Sequence, residues 1–155
     1  MKPFRFNLQA LLLLREREER KALEAHGRDV QAARAALERA QAARLELEGL
    51  WSGLSTLSAR GAAVFEVMQL QAYAATVRER KKRLDAALLA AQKAESESRR
   101  RFMDARQQRE AVERFREKKK KRHDHAAALE EQALLDDLSQ RDRSLGAAQA
   151  EMSLS

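Results

Sequence analysis

Apolar residues recur every three to four positions along nearly the whole chain, in two runs separated by one interruption. In the first run Leu23, Val30, Leu37 and Trp51 fall at multiples of seven, with Arg44 interrupting, and Ala33, Ala40, Leu47 and Leu54 fill the alternate positions. In the second run Leu70, Val77, Leu84, Ala91, Ser98, Ala105 and Val112 are seven apart, with Val67, Ala74, Leu88 and Phe102 between them. Two apolar positions per seven residues make the seam of a coiled coil. Lys81, Glu95 and Arg109 also fall on the second seam, and polar seam residues cost stability while fixing register. The stretch "SGLSTLSARGAA" between the runs, with Gly53, Gly61 and three serines, is loop-like.

The pattern predicts an all-α fold: one long two-helix antiparallel coiled-coil hairpin spanning residues 1–155 as a single domain. Helix 1 covers about 5–51, the turn 52–63 and helix 2 about 64–141, leaving 142–155 as a frayed or disordered tail. Alanines on both seams should let the helices approach closely. With the turn centred near residues 57–58, facing positions sum to about 115. Val30 then meets the neighbourhood of Asp85, Leu47 meets Met68, and Phe4 reaches about as far as Ala111. Everything after roughly Arg114 overhangs as a single helix with no partner in its own chain.

The opening "MKPFRFNLQALLLLREREER" tests one alternative, an export signal or membrane anchor. A secretory signal needs about 7–15 apolar residues and a small-residue cleavage site. The run Ala10 to Leu14 stops at Arg15, and no stretch approaches the roughly 20 apolar residues of a membrane span. The opening reads instead as a helix starting near Pro3, with Phe4, Leu8, Leu11 and Leu12 on one face.

Composition sharpens this. Charged residues make up 35% and aromatic residues 5%, which suits a long helix and not a core built on aromatic rings. The absence of cysteine removes disulfides and thiolate chemistry, and fits a cytoplasmic location. The net charge of +7 is unevenly spread. Residues 99–122 hold 12 Lys and Arg against 4 Asp and Glu, whereas residues 123–155 hold 2 against 7. A basic block followed by an acidic segment is a statement about partners.

Candidate chemistry is sparse. Lys118, Lys119, Lys120, Lys121 and Arg122 cover every face of their helical turn, without the asparagines that reach base edges or the aromatic platforms that stack single strands. Specific nucleic-acid binding is therefore not expected. His123 and His125 point about 200° apart on a helix and cannot share a metal ion without unwinding. No nucleophile has a base at a recognisable spacing, no glycine-rich phosphate loop exists, and a two-helix hairpin offers no concave pocket. The chain is expected to be no enzyme and to take no cofactor, metal or small-molecule substrate.

The two ends together resemble one family. Phe4, Phe6, Leu8, Leu11, Leu12, Leu14, Arg15 and Glu19 match the Phe-x-(Phe/Leu)-x-Leu opening, continued by paired leucines, arginine and glutamate, of the flagellar FliJ family. Glu113, Phe115, Glu117 and Lys118 are similar to its closing Glu-x-Leu-x-Glu-(Lys/Arg) run, with Phe115 for the usual leucine. Glu131, Gln132, Leu135, Asp136, Asp137 and Leu138 are similar to the Glu-Gln-x-x-Leu-Asp-Glu segment that follows. The resemblance implies a component of the flagellar type III protein export apparatus, cytoplasmic and held peripherally at the inner membrane through that apparatus. Its implied partners are the hexameric export ATPase, which it enters like a rotary stalk and promotes, the export gate membrane protein, and the escort chaperones. The equivalent stalk of a virulence injectisome, a structural coiled coil, and a non-specific nucleic-acid-binding coiled coil are the alternatives. Phe115, Lys118, Lys119, Lys120, Lys121, Arg122, Leu129, Gln132, Leu135, Asp136 and Leu138 are the expected ATPase contacts. Leu54, Leu57, Val64 and Phe65 at the hairpin tip are the expected contacts for gate or chaperones.

Overall fold

The structure, a computed structural model, describes residues 3–153; Met1, Lys2, Leu154 and Ser155 lie outside the described residues. Two long helices, α1 (Gln9–Arg60) and α2 (Val64–Ser153), pack against each other as the expected helical hairpin, with no strand among the described residues. Contacts divide the chain into two compact units, Glu16–Gln107 and a second one made of Met1–Arg15 with Gln108–Ser155.

In the unit 16–107 the α2 seam is complete. Val67, Leu70, Ala74, Val77, Lys81, Leu84, Leu88, Ala91, Glu95, Ser98, Phe102 and Ala105 are all buried or half-buried. On α1 half of the expected seam holds, with Ala33, Ala40 and Leu54 buried and Leu47 half-buried. In the other half Val30 also stays half-buried, while the remaining positions shift by one residue. Leu23, Leu37 and Trp51 are 50%, 40% and 45% exposed, while Ala22, Ala36, Ala43 and Leu50 face inward. Alanine at these positions lets the backbones close together, and the larger side chains next to them lie along the edge of the interface. Trp51 shows this arrangement, with the Arg78 guanidinium 5.3 Å from its ring centroid.

The turn is shorter than expected and later in the chain. Helix α1 runs through residues 52–60, so only 61–63 connect the helices. One glycine in a helix costs about 1 kcal/mol. Burial of Leu54 with partial burial of Leu50 and Leu57 contributes about 1.5–3 kcal/mol per fully buried side chain, enough to carry the helix past Gly53. Termination falls at Gly61, whose φ of 68° lies in the left-handed region. There the Ala62 N–H donates to the Leu57 carbonyl at 3.2 Å and the Gly61 N–H to the Ser58 carbonyl at 3.4 Å, the paired bonds of a Schellman cap. Gly61→Ala is expected to lower stability by about 1 kcal/mol in denaturant melts. Gly53→Ala is expected not to, because its Cβ would meet only Leu70 Cδ2, at an ordinary 3.7 Å.

Moving the turn moves the register. Each residue of displacement in the turn shifts facing positions by two, so partners lie about nine residues further along α2 than expected. Val30 shares a groove with Gln92 and Glu95, not Asp85, and Met68, the expected partner of Leu47, is 62% exposed. His26 Nδ1 lies 3.2 Å from Ser98 Oγ, and its ring stacks on Phe102 at 6.4 Å. Ser98 is a buried polar seam residue whose hydroxyl also donates to the Glu95 carbonyl at 3.0 Å. Nearer the turn, the Tyr73 hydroxyl donates to Glu46 Oε1 at 2.7 Å, and Arg80 pairs with the same carboxylate. Accepting that hydrogen bond, the Glu46 carboxylate holds the Tyr73 phenol above its ordinary pKa. A chain carrying His26→Cys and Ser98→Cys is expected to crosslink within one molecule on oxidation. Leu47→Cys with Met68→Cys is expected not to, and denaturing gels before and after reduction read both.

In the other unit residues 3–8 are not helical: 3–6 carry no regular structure and 7–8 form a turn, with the Gln9 N–H donating to the Phe6 carbonyl at 3.3 Å. Phe4, Phe6 and Leu8 are half-buried while Arg5 and Asn7 are exposed, a two-residue alternation, and α1 starts at Gln9. Leu12 is 2% exposed. Phe4 meets His123 edge-on at 5.5 Å, Phe6 meets Phe115 at 6.3 Å, and Arg15 Nη1 donates to Gln108 Oε1 at 2.7 Å. The register shift of about nine residues already brings Phe4 opposite the neighbourhood of Lys120, and a start outside the helix, rising more than about 1.5 Å per residue, carries it slightly further. It passes the expected limit at Ala111 and runs alongside α2 to His123. The fully exposed part of α2, among the described residues, therefore begins after the half-buried Ala127, not at Arg114. Helix continues through 142–153, the stretch expected to fray, with Arg141 Nη2 3.3 Å from Asp137 and the Ser144 hydroxyl donating to the Arg141 carbonyl at 2.8 Å.

Candidate docking surfaces

The basic turn of α2 is split among three environments. Arg114, Lys118, Lys121, Arg122 and His125 line one groove of about 430 Å3 together with Glu117. Lys120 lines another of about 300 Å3 with Glu113, Arg116 and Glu117. Lys119 places its Nζ 5.2 Å above the Phe115 ring, a cation–π contact on a ring that also touches Phe6. Phe115 is 42% exposed, so it belongs partly to the contact with the N-terminal segment and partly to the surface. Ion pairs along the same helix hold the side chains that lead into the run. Arg109 pairs with Glu113, and Arg114 Nη2 lies 3.4 Å from Glu110.

Beyond Ala127 every described side chain is exposed, including Leu129, Leu134, Leu135, Leu138 and Leu145. Helical geometry sorts the expected contact residues into two groups. Leu135 and Leu138 share a stripe with Leu134 and Leu145. Leu129 lies about 180° away with Asp136 beside it, and Gln132 falls between that side and Leu135. The expected contacts of the tail thus face opposite ways.

At the tip the four expected residues also separate. Leu54 is buried and Leu57 half-buried, where they close the hairpin. Val64 and Phe65 are 75% and 70% exposed. Met68, Ala72 and Ala75, all exposed, continue the same outer face of α2. Sequence reasoning missed this stripe because it turned Met68 toward Leu47 across the hairpin. The signal was available, since assigning 67, 70, 74 and 77 inward leaves 65, 68, 72 and 75 outward.

Among the described residues no group of His, Asp and Glu is placed to hold a metal ion, and no helix is long and apolar enough to cross a membrane. His123 faces Phe4 while His125 lines the basic groove, so the two histidines point apart as their spacing requires.

A family model described as "Flagellar FliJ protein" matches residues 4–145. No curated protein and no solved structure matches the chain.

Proposed function

The chain belongs to the FliJ family, non-catalytic components of the flagellar protein export apparatus, and from that premise we propose that it acts as a stalk-like coiled coil that binds and promotes the hexameric export ATPase. In this reading the α2 tail beyond Ala127 enters the ATPase ring, and the basic turn Lys118 to Arg122 meets acidic side chains at the ring's mouth. The observation that carries the proposal is the tail itself: a helix continuing past Ala127, the last half-buried residue among those described, with Leu129, Leu134, Leu135 and Leu138 between 53% and 65% exposed. Apolar surface in that amount on one helix marks a contact with another protein. Leu129 and Asp136, on the far side from Leu134 and Leu138, suit a site enclosed all round, as a ring's inner sleeve is. The charge change along α2, basic to Arg122 and acidic after it, would orient the entry.

The exposed stripe Val64, Phe65 and Met68 supports a second contact, with the export gate membrane protein or with escort chaperones. Those contacts would keep the protein in the cytoplasm at the inner membrane. The experiment that tests the main reading is the hydrolysis rate of the same organism's export ATPase with and without the full chain. Stimulation that saturates with added chain supports it, and an unchanged rate together with no co-sedimentation overturns it.

A further inference from the structure

The hairpin seam of α2 loses its apolar character after Val112, where the next seam positions are Arg116, Lys119 and His123. A new seam begins in the tail with a different phase. Ala127, Glu131, Leu134, Leu138, Arg141 and Leu145 follow one another at steps of four, three, four, three and four, the spacing of coiled-coil core positions. Leu134, Leu138 and Leu145 on this face are 65%, 57% and 63% exposed. The order of residues is symmetric about the midpoint between Leu134 and Leu138.

We propose that this face pairs with the same face of a second copy of the chain, antiparallel, around a two-fold axis at that midpoint. Leu134 of one copy then packs on Leu138 of the other, and Ala127 on Leu145. Glu131 meets Arg141 of the second copy, twice by symmetry. Core positions of the two alternating kinds face each other in all these layers, as an antiparallel coiled coil requires. Charge selects this arrangement. A parallel pair would stack Glu131 on Glu131 and Arg141 on Arg141, whereas the antiparallel pair matches opposite signs at both polar layers. The single like-charge approach, Asp137 beside its counterpart near the axis, is offset by Arg141, 3.3 Å from Asp137 in the same chain. Flanking the axis on the other side, Leu135 meets Leu135 of the second copy. The seam is short, so the dimer is weak and concentration-dependent. It does not rest on the export reading, but the same leucines would be covered by a ring, so self-pairing and ring entry exclude each other.

The full chain has no cysteine, which makes the arrangement directly readable. Sedimentation over about a hundredfold range of concentration should show monomer passing to dimer. Under mild oxidation at the upper concentrations, Leu134→Cys mixed with Leu138→Cys should form a mixed disulfide dimer, and neither variant alone should crosslink efficiently. Glu131→Arg and Arg141→Glu, each alone, should raise the dimer dissociation constant about tenfold, and the two together in one chain should restore it. Circular dichroism at low concentration checks that helicity is retained. A chain that stays monomeric throughout overturns the proposal. So does efficient crosslinking of either single variant alone, which would mean a parallel pair, or a double charge swap that fails to restore dimerisation.

Discussion

Removing residues 128–155 is expected to abolish stimulation of the export ATPase while leaving the two packed regions of the chain folded. The expectation follows from where burial ends. No described side chain beyond Ala127 is even half-buried, so truncation there takes away exposed leucines and acidic residues and leaves Leu12, Ala33, Ala43, Ala74 and Val77 in place. Thermal melting should therefore change little, apart from the loss of helical signal from the deleted segment, while hydrolysis rates return to the ATPase's own basal level. Cutting at Arg114 instead would remove Phe115 and His123, which hold Phe6 and Phe4, and would confuse unfolding with lost contact. Replacing Lys118, Lys120 and Lys121 with Glu is a gentler companion. It spares Lys119 on the Phe115 ring and should slow association and flatten its salt dependence, because long-range attraction between exposed charges governs encounter more than final affinity. A chain ending at Ala127 that still binds and stimulates at full strength would move the ATPase contact onto residues 16–107 or the basic turn.

How much of this was legible in the sequence depends on what each signal measures. The α2 seam was readable residue by residue because its heptads run without interruption and its polar members, Lys81, Glu95 and Ser98, occupy seam positions without shifting the phase. The α1 seam was readable only in part. Hydrophobicity favours Leu23 and Leu37 over Ala22 and Ala36, yet close approach favours the smaller side chain, and in a tightly packed pair it is the alanine that goes inside. The turn was misplaced for a related reason. Gly53 and the serines look like a loop to any local reading, but helix continuity there is set by Leu54 and Leu57 packing onto α2, which is a tertiary effect. Gly61, alone among the described residues in having a left-handed backbone, was indistinguishable from Gly53 by composition. From that one displacement came the error in register, and with the non-helical start at Phe4 and Phe6 it also placed the overhang too early. The candidate residues of the tail were visible as apolar or family-like positions. Their division into opposite faces became apparent only once the helix was known to be unbroken through them.

Replacing Phe65 and Met68 together with Ser is expected to weaken binding to the export gate or an escort chaperone about 100-fold, with helicity unchanged. Both side chains lie more than 60% exposed on the outer face of α2, so their loss removes nothing from the seam. Fully burying two such side chains against a partner is worth about 1.5–3 kcal/mol each, and the lower half of that range already gives the stated change. Leu57→Ser is the necessary contrast. Leu57 is half-buried, and its carbonyl receives the Ala62 N–H in the cap at Gly61. Its replacement should lower the melting temperature, with any loss of partner binding following from the loosened turn. Isothermal titration against gate and chaperone from the same organism, with circular dichroism on each variant, separates the two behaviours. If Phe65→Ser with Met68→Ser binds as tightly as the original chain, the exposed stripe is an uncovered helix face and the partner contact lies elsewhere.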